Sequence, residues 1–139
     1  MHRARAFVAA ATVVIVASAA GCGDSTPTTP TTDTPTTFTE VFSGTITPNG
    51  AASHTFVSQS SGEARATLTA LTPDTSGTVG ILLGTWVNSS CTFVVGNDKA
   101  TLGATVRGLV GGAGELCTRI YDVGAVSSPI TYELTVVHP

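Results

Sequence analysis

Glu63-Ala64-Arg65-Ala66-Thr67-Leu68-Thr69-Ala70-Leu71 decides the fold. Ala64, Ala66, Leu68 and Ala70 fall on one parity; Glu63, Arg65, Thr67 and Thr69 fall on the other. Successive side chains of a strand leave opposite faces of the pleat, so a period of two marks a strand with one face in a core and the other in water. Outward from this stretch the period recurs at Leu102, Ala104 and Val106, and again at Tyr132, Leu134 and Val136. Thr78 to Trp86 is nearly all apolar and reads as a central strand buried on both faces. Turn residues separate these runs at Pro48-Asn49-Gly50, Ser60-Ser61-Gly62, Thr72-Pro73-Asp74, Asn88-Ser89-Ser90 and Gly96-Asn97-Asp98. The glycine-rich stretch Gly108 to Gly114 and the segment Val123 to Pro129 complete the set.

Eight strands follow: 38–47, 52–58, 63–71, 78–86, 91–95, 100–107, 115–122 and 130–137. No window after Phe38 shows a helical face. The expected fold is therefore all-β, a single eight-stranded antiparallel β-sandwich of jelly-roll-like form over residues 38–139. Composition agrees. The chain has 139 residues, of which 25 are Thr and only 11% are charged. Thr is stiff at χ1 and packs well on a pleated surface. A chain this poor in Lys and Arg has no basic footprint for nucleic acid.

The first part of the chain reads differently. His2, Arg3 and Arg5 form a basic start, and Phe7 to Ala20 is a 14-residue stretch without charge. That is the length of a signal-peptide core and short for a membrane span. It ends in Ala19-Ala20-Gly21-Cys22, which resembles the lipobox of bacterial lipoproteins, although Ala19 stands where that family more often has Leu. The resemblance implies a signal peptide over 1–21, cleavage before Cys22, a diacylglycerol on its sulfur and an acylated amine. Ordinary secretion and a retained anchor helix are the alternatives. The implied location is the bacterial envelope, facing the periplasm or bound to the outer membrane, with the acyl chains as the contact to the membrane.

Residues 22–37 follow as the lipidated cysteine and a disordered linker. Asp24 to Thr37 contains eight Thr, three Pro, two Asp and one Ser. Nothing in it can build a core, and as a polyproline-like spacer its 14 residues span roughly 43 Å. From Cys22 onward four basic residues face nine acidic ones, a net charge of 4 − 9 = −5. Attachment to a membrane then has to come from acyl chains rather than from charge.

Cys91 and Cys117 remain within the expected sandwich. In an exported protein an even pair is read as a disulfide, since a zinc site needs further ligands at suitable spacing; two separately buried thiols are the alternative. Phe42-Ser43-Gly44-Thr45-Ile46-Thr47, Ser53-His54-Thr55-Phe56-Val57, Ala113 to Asp122 and Tyr132-Glu133-Leu134-Thr135-Val136 resemble the bacterial pre-peptidase C-terminal domain. The resemblance implies a jelly-roll-like sandwich of the kind appended to exported enzymes, and it spans about Phe38 to His138. Val79-Gly80-Ile81-Leu82-Leu83 stands where that family has an acidic strand, and Leu116 where it has Tyr.

Catalytic motifs are missing from the sequence: there is no G-x-S-x-G, H-E-x-x-H, phosphate loop or dinucleotide fingerprint. The expectation is a non-enzyme. It would be a lipid-anchored accessory module that binds an envelope protein or glycan; a spacer lipoprotein without a ligand is the alternative, and an inhibitor or enzyme a minor one. Trp86, the sole tryptophan, and Asn88 beside it are the candidate ligand-binding residues. If the strands alternate in direction, all connections from an odd strand to the next even one share one end. Asp74, Asp98 and Asp122 fall there with Asn49, a candidate weak calcium site, although Asp is also favoured in turns for its own backbone bonds. Cys91, Cys117 and Trp86 fall at the other end.

Overall fold

The computed structural model describes residues 36–139. The signal-peptide, lipidation and linker assignments, Cys22 included, lie outside the described residues apart from Thr36 and Thr37. The eight strands are β1 (Phe38–Ile46), β2 (Ala51–Ser58), β3 (Gly62–Thr72), β4 (Val79–Val87), β5 (Ser90–Ala100), β6 (Thr105–Val110), β7 (Gly114–Tyr121) and β8 (Ile130–His138). They form two four-stranded antiparallel sheets, ordered β1-β8-β3-β6 and β2-β7-β4-β5, the jelly-roll arrangement. Among the described residues there is no helix.

The core forms where the period-two faces of both sheets meet. Ala64, Ala66 and Leu68 of β3, Leu134 and Val136 of β8, and Ile81 and Ile120 opposite them are all buried. Parity in β3 breaks once. A bulge between Leu68 and Ala70 shifts the register against β8, so Leu71 rather than Ala70 takes the next buried place. The bulged Thr69 donates its hydroxyl to Glu133.

Two expected boundaries move. Gly96-Asn97-Asp98 is not a turn: β5 continues through it to Ala100, with a register irregularity opposite Val79 to Ile81. Asp98 therefore sits in a strand. The reversal comes later, at Thr101 to Ala104, where Gly103 adopts a φ of 86° and donates its N–H to the Leu68 carbonyl, while the Ala104 carbonyl accepts from the Leu68 N–H. Leu102, expected to face inward, is exposed there.

Strand directions alternate along the chain, so 47–50, 73–78, 101–104 and 122–129 share one end of the sandwich. The registers Ile46↔Ile130, Thr72↔Thr131, Ala51↔Tyr121 and Val79↔Ala100 fix this grouping. The opposite end carries 59–61, 88–89 and 111–113, together with Phe38, where the described chain joins β1. Strand β4 is buried from Val79 through Gly84, on both faces as its composition implies. Its inner face is the core, and its outer face is closed by two links described next.

Candidate functional site

Cys91 of β5 and Cys117 of β7 form a disulfide with a Cα–Cα distance of 5.8 Å. Strand β4 lies between β5 and β7, so the bond crosses its outer face. Gly84 lies underneath: a Cβ there would sit 3.3 Å from the Cys117 Sγ and 2.1 Å from the Thr92 carbonyl oxygen. At the other end of β4 the Tyr121 phenol reaches over Gly80 and donates to the Asp98 carboxylate of β5. A Cβ on Gly80 would lie 2.2 Å from that ring. Burial, with the Asp98 carboxylate as accepting neighbour, pushes the Tyr121 phenol up to about 12. Two glycines thus admit two links, one covalent and one hydrogen-bonded, that tie β5 to β7 across β4.

The candidate calcium residues share an end of the fold without forming a cluster. Among the described residues no three His, Cys, Asp or Glu side chains come together in a way that could hold a metal ion. Each aspartate is engaged locally. Asp74 Oδ1 accepts from the backbone N–H and hydroxyl of Ser76. Asp122 Oδ1 accepts from the N–H groups of Gly124, Ala125 and Val126, and its Oδ2 accepts from Asn49. These bonds hold both carboxyls below the usual carboxylate range. Asp98 serves Tyr121.

Trp86 is half-buried directly opposite Cys91 in the β4–β5 register. Asn88 and Ser89 have φ values of 51° and 60° between the paired residues Val87 and Ser90. They are the central pair of a two-residue hairpin turn, for which Asn is favoured because it tolerates positive φ. The conformation of Asn88 is thus explained without a ligand.

A cleft that the sequence reading did not single out opens between the edge strands β1 and β2. It has a volume of about 420 Å³ and is lined chiefly by Phe38, Glu40, Phe56, Val57, Gln59 and His138. The period of two places Phe38, Glu40 and Phe42 on the inward face of β1, and His54 and Phe56 on that of β2. His138 is 2% exposed. Its ring lies between Phe38 and Phe56, with centroids 5.8 and 4.9 Å away, and its Nε2 is 3.0 Å from the Glu40 Oε1. Glu40 is itself half-exposed to the cleft.

Deeper along the same seam, His54 stacks on Phe42 at 4.8 Å and shares a 2.7 Å hydrogen bond with the Tyr132 hydroxyl. Gly44 leaves the space for that hydroxyl, since a Cβ would approach it to 2.6 Å. Burial lowers the pKa of His54 and raises that of Tyr132. Burial favours the neutral form of each group. No nucleophile accompanies either histidine in these contacts, so the seam offers stacking surfaces and hydrogen-bonding groups. Among the described residues every buried side-chain nitrogen and oxygen has a partner.

No protein-family model and no curated protein matches this chain.

Proposed function

We propose that the chain is a lipid-anchored, non-catalytic β-sandwich of the bacterial envelope, an accessory module that takes a glycan or a segment of an envelope protein into the β1/β2 cleft. The observation that carries this reading is the cleft's chemistry. The exposed Phe38 ring stands beside the Glu40 carboxylate and the Gln59 amide, and the buried His138 and Phe56 rings pack behind it. A sugar ring or an extended peptide presents the complement: a flat apolar face with hydroxyl or amide donors at its rim. Phe38 is 44% exposed, so its ring is available for stacking. The lipobox-like Ala19-Ala20-Gly21-Cys22 and the Thr/Pro-rich linker support anchoring at Cys22 and display of the domain on a spacer. The resemblance to the pre-peptidase C-terminal domain supports an accessory role.

Saturation-transfer NMR with soluble fragments of envelope glycans tests the cleft. Transfer to ring protons is expected, with loss in Phe38→Ala and Glu40→Gln variants that still unfold cooperatively. Transfer that persists in both variants would refute the site. If glycan fragments receive none, photocrosslinking in the envelope from position 38 tests the protein alternative. Failure of both would favour the spacer reading.

A further inference from the structure

Glycines flatten the outer face of the sheet ordered β2-β7-β4-β5. Ile81 and Leu83 of β4 belong to the core, so Gly80, Leu82, Gly84 and Trp86 take the outward parity. The β4–β7 register sets Tyr121, Arg119 and Cys117 beside the first three. On β5, Gly96 lies beside Leu82, Phe93 beside Gly84 and Cys91 beside Trp86. The Phe93 ring lies over Gly96, 2.9 Å from where a Cβ would sit, and Phe93 is 62% exposed. A ring laid along a sheet with no side chain beneath it turns one face to solvent. Trp86 is its diagonal neighbour across the β4–β5 ladder.

Arg119 stands on the same face. The other two arginines of the described residues, Arg65 and Arg107, both pair with Glu63. Arg119 is half-buried and, among the described residues, is in no ion pair. Of the acids on its face, Asp98 is held by Tyr121. Glu115 lies four residues away along β7, roughly 13 Å at about 3.3 Å per residue. On the β2 side Arg119 is paired in register with the exposed Ser53.

We propose that this face binds a glycan through a carboxylate-bearing sugar ring, with Arg119 pairing with the carboxylate and Phe93 and Trp86 stacking on ring faces. The mixture of groups selects this occupant. An arginine without an acid partner suits an anion, and its planar fork donates two parallel bonds to one carboxylate. The exposed Phe93 face suits a flat apolar surface, which a sugar ring presents through its C–H groups. Ser53 offers a hydroxyl to the hydroxyls of the ring. A purely aliphatic partner would bury Arg119 and Ser53 without bonds, which is costly. Gly80 to Trp86 spans six residues, roughly 20 Å, enough for more than one ring. Arg119, Phe93 and Trp86 do not line the β1/β2 cleft, so the proposal stands apart from the reading of that cleft.

The chain from Cys22 to Pro139 is prepared with Cys22→Ser, so the result does not depend on acylation. Trigalacturonic acid, its methyl ester and a triglutamate peptide are titrated in turn, and Trp86, the sole tryptophan, reports by its emission. The acid is expected to bind and shift the emission. Esterification should weaken binding about tenfold or more, the scale of a lost charge-assisted pair. Arg119→Gln should bind acid and ester alike, while Arg119→Lys, which keeps the charge, should retain part of the preference. Phe93→Ala should weaken both sugars and still unfold cooperatively. Phe38→Ala, in the β1/β2 cleft, should leave the titration unchanged. Equal affinity for acid and ester, or a preference that survives Arg119→Gln, would overturn the proposal. Absence of binding by either sugar would overturn it too. Triglutamate binding as tightly as the acidic sugar would overturn it in favour of an acidic protein segment, and loss of binding in Phe38→Ala in favour of the cleft.

Discussion

Glu40 shows how a single residue carries both fold and site. It alternates inward with Phe38 and Phe42, so the period that makes β1 a strand also forces a carboxylate toward the seam. A charge placed there needs a partner, and His138 supplies it at 3.0 Å. That signal was present in the sequence: a lone Glu on the apolar parity of an aromatic strand. Its partner was not, because residues 40 and 138 meet only through the β1–β8 register. His54 makes the complementary case. Its place in a strand was readable, but its contacts with Phe42 and Tyr132 come from two other strands. Burial lowers its pKa from 6.5, so the unfolded chain takes up the proton more readily than the folded one. Stability from this group is complete above about pH 6.5 and is lost as pH falls through the lowered folded value. Thermal melts between about pH 7.5 and pH 5 should fall in midpoint, and His54→Phe should remove part of that fall. An identical pH profile in the variant would contradict the assignment.

Among the elements, β4 was legible from composition and β5 was not. An almost unbroken apolar run over Val79 to Leu83 implies burial on both faces, and the structure provides it. Gly96-Asn97-Asp98 reads as a turn because those residue types favour turns through local bonding. Asn97 does accept from the N–H of Lys99. The strand continues regardless, because Asp98 is held by Tyr121 of β7, a contact between positions 23 residues apart. Gly96 also leaves room for the Phe93 ring, 2.9 Å from where a Cβ would sit. Non-local links thus override local preference here. The disulfide is the stronger of the two links. It closes a loop with a sequence separation of 26, which in the chain-entropy model contributes on the order of 3 kcal/mol. Reduction should lower the melting temperature by about 12 °C or more for a domain of this size. Gly84→Ala tests the same crossing sterically. It should cost about 1–3 kcal/mol by forcing a methyl group against the Thr92 backbone. Gly111→Ala, with nothing within 4 Å of its Cβ, should be close to neutral. A reduced protein that melts with the oxidised one, or a Gly84 variant as stable as the Gly111 control, would contradict this picture of β4.

For the whole molecule, alternating strand direction does the sorting. It collects Asn49, Asp74 and Asp122 at one end and the cysteines, Trp86 and the uncharged turns at the other, an arrangement deducible from strand order alone. What strand order could not supply was the distance between side chains. The aspartates share an end but bond to their own loops, and the β1/β2 cleft exists only because edge strands of different sheets face each other. The functional reading depends on how the molecule is held. Growth of the native host with labelled palmitate, followed by isolation of the protein, tests attachment at Cys22. Label is expected in the wild-type protein and none in Cys22→Ala. Label of equal intensity in the Cys22→Ala protein, or none in the wild type, would contradict a lipid-anchored module.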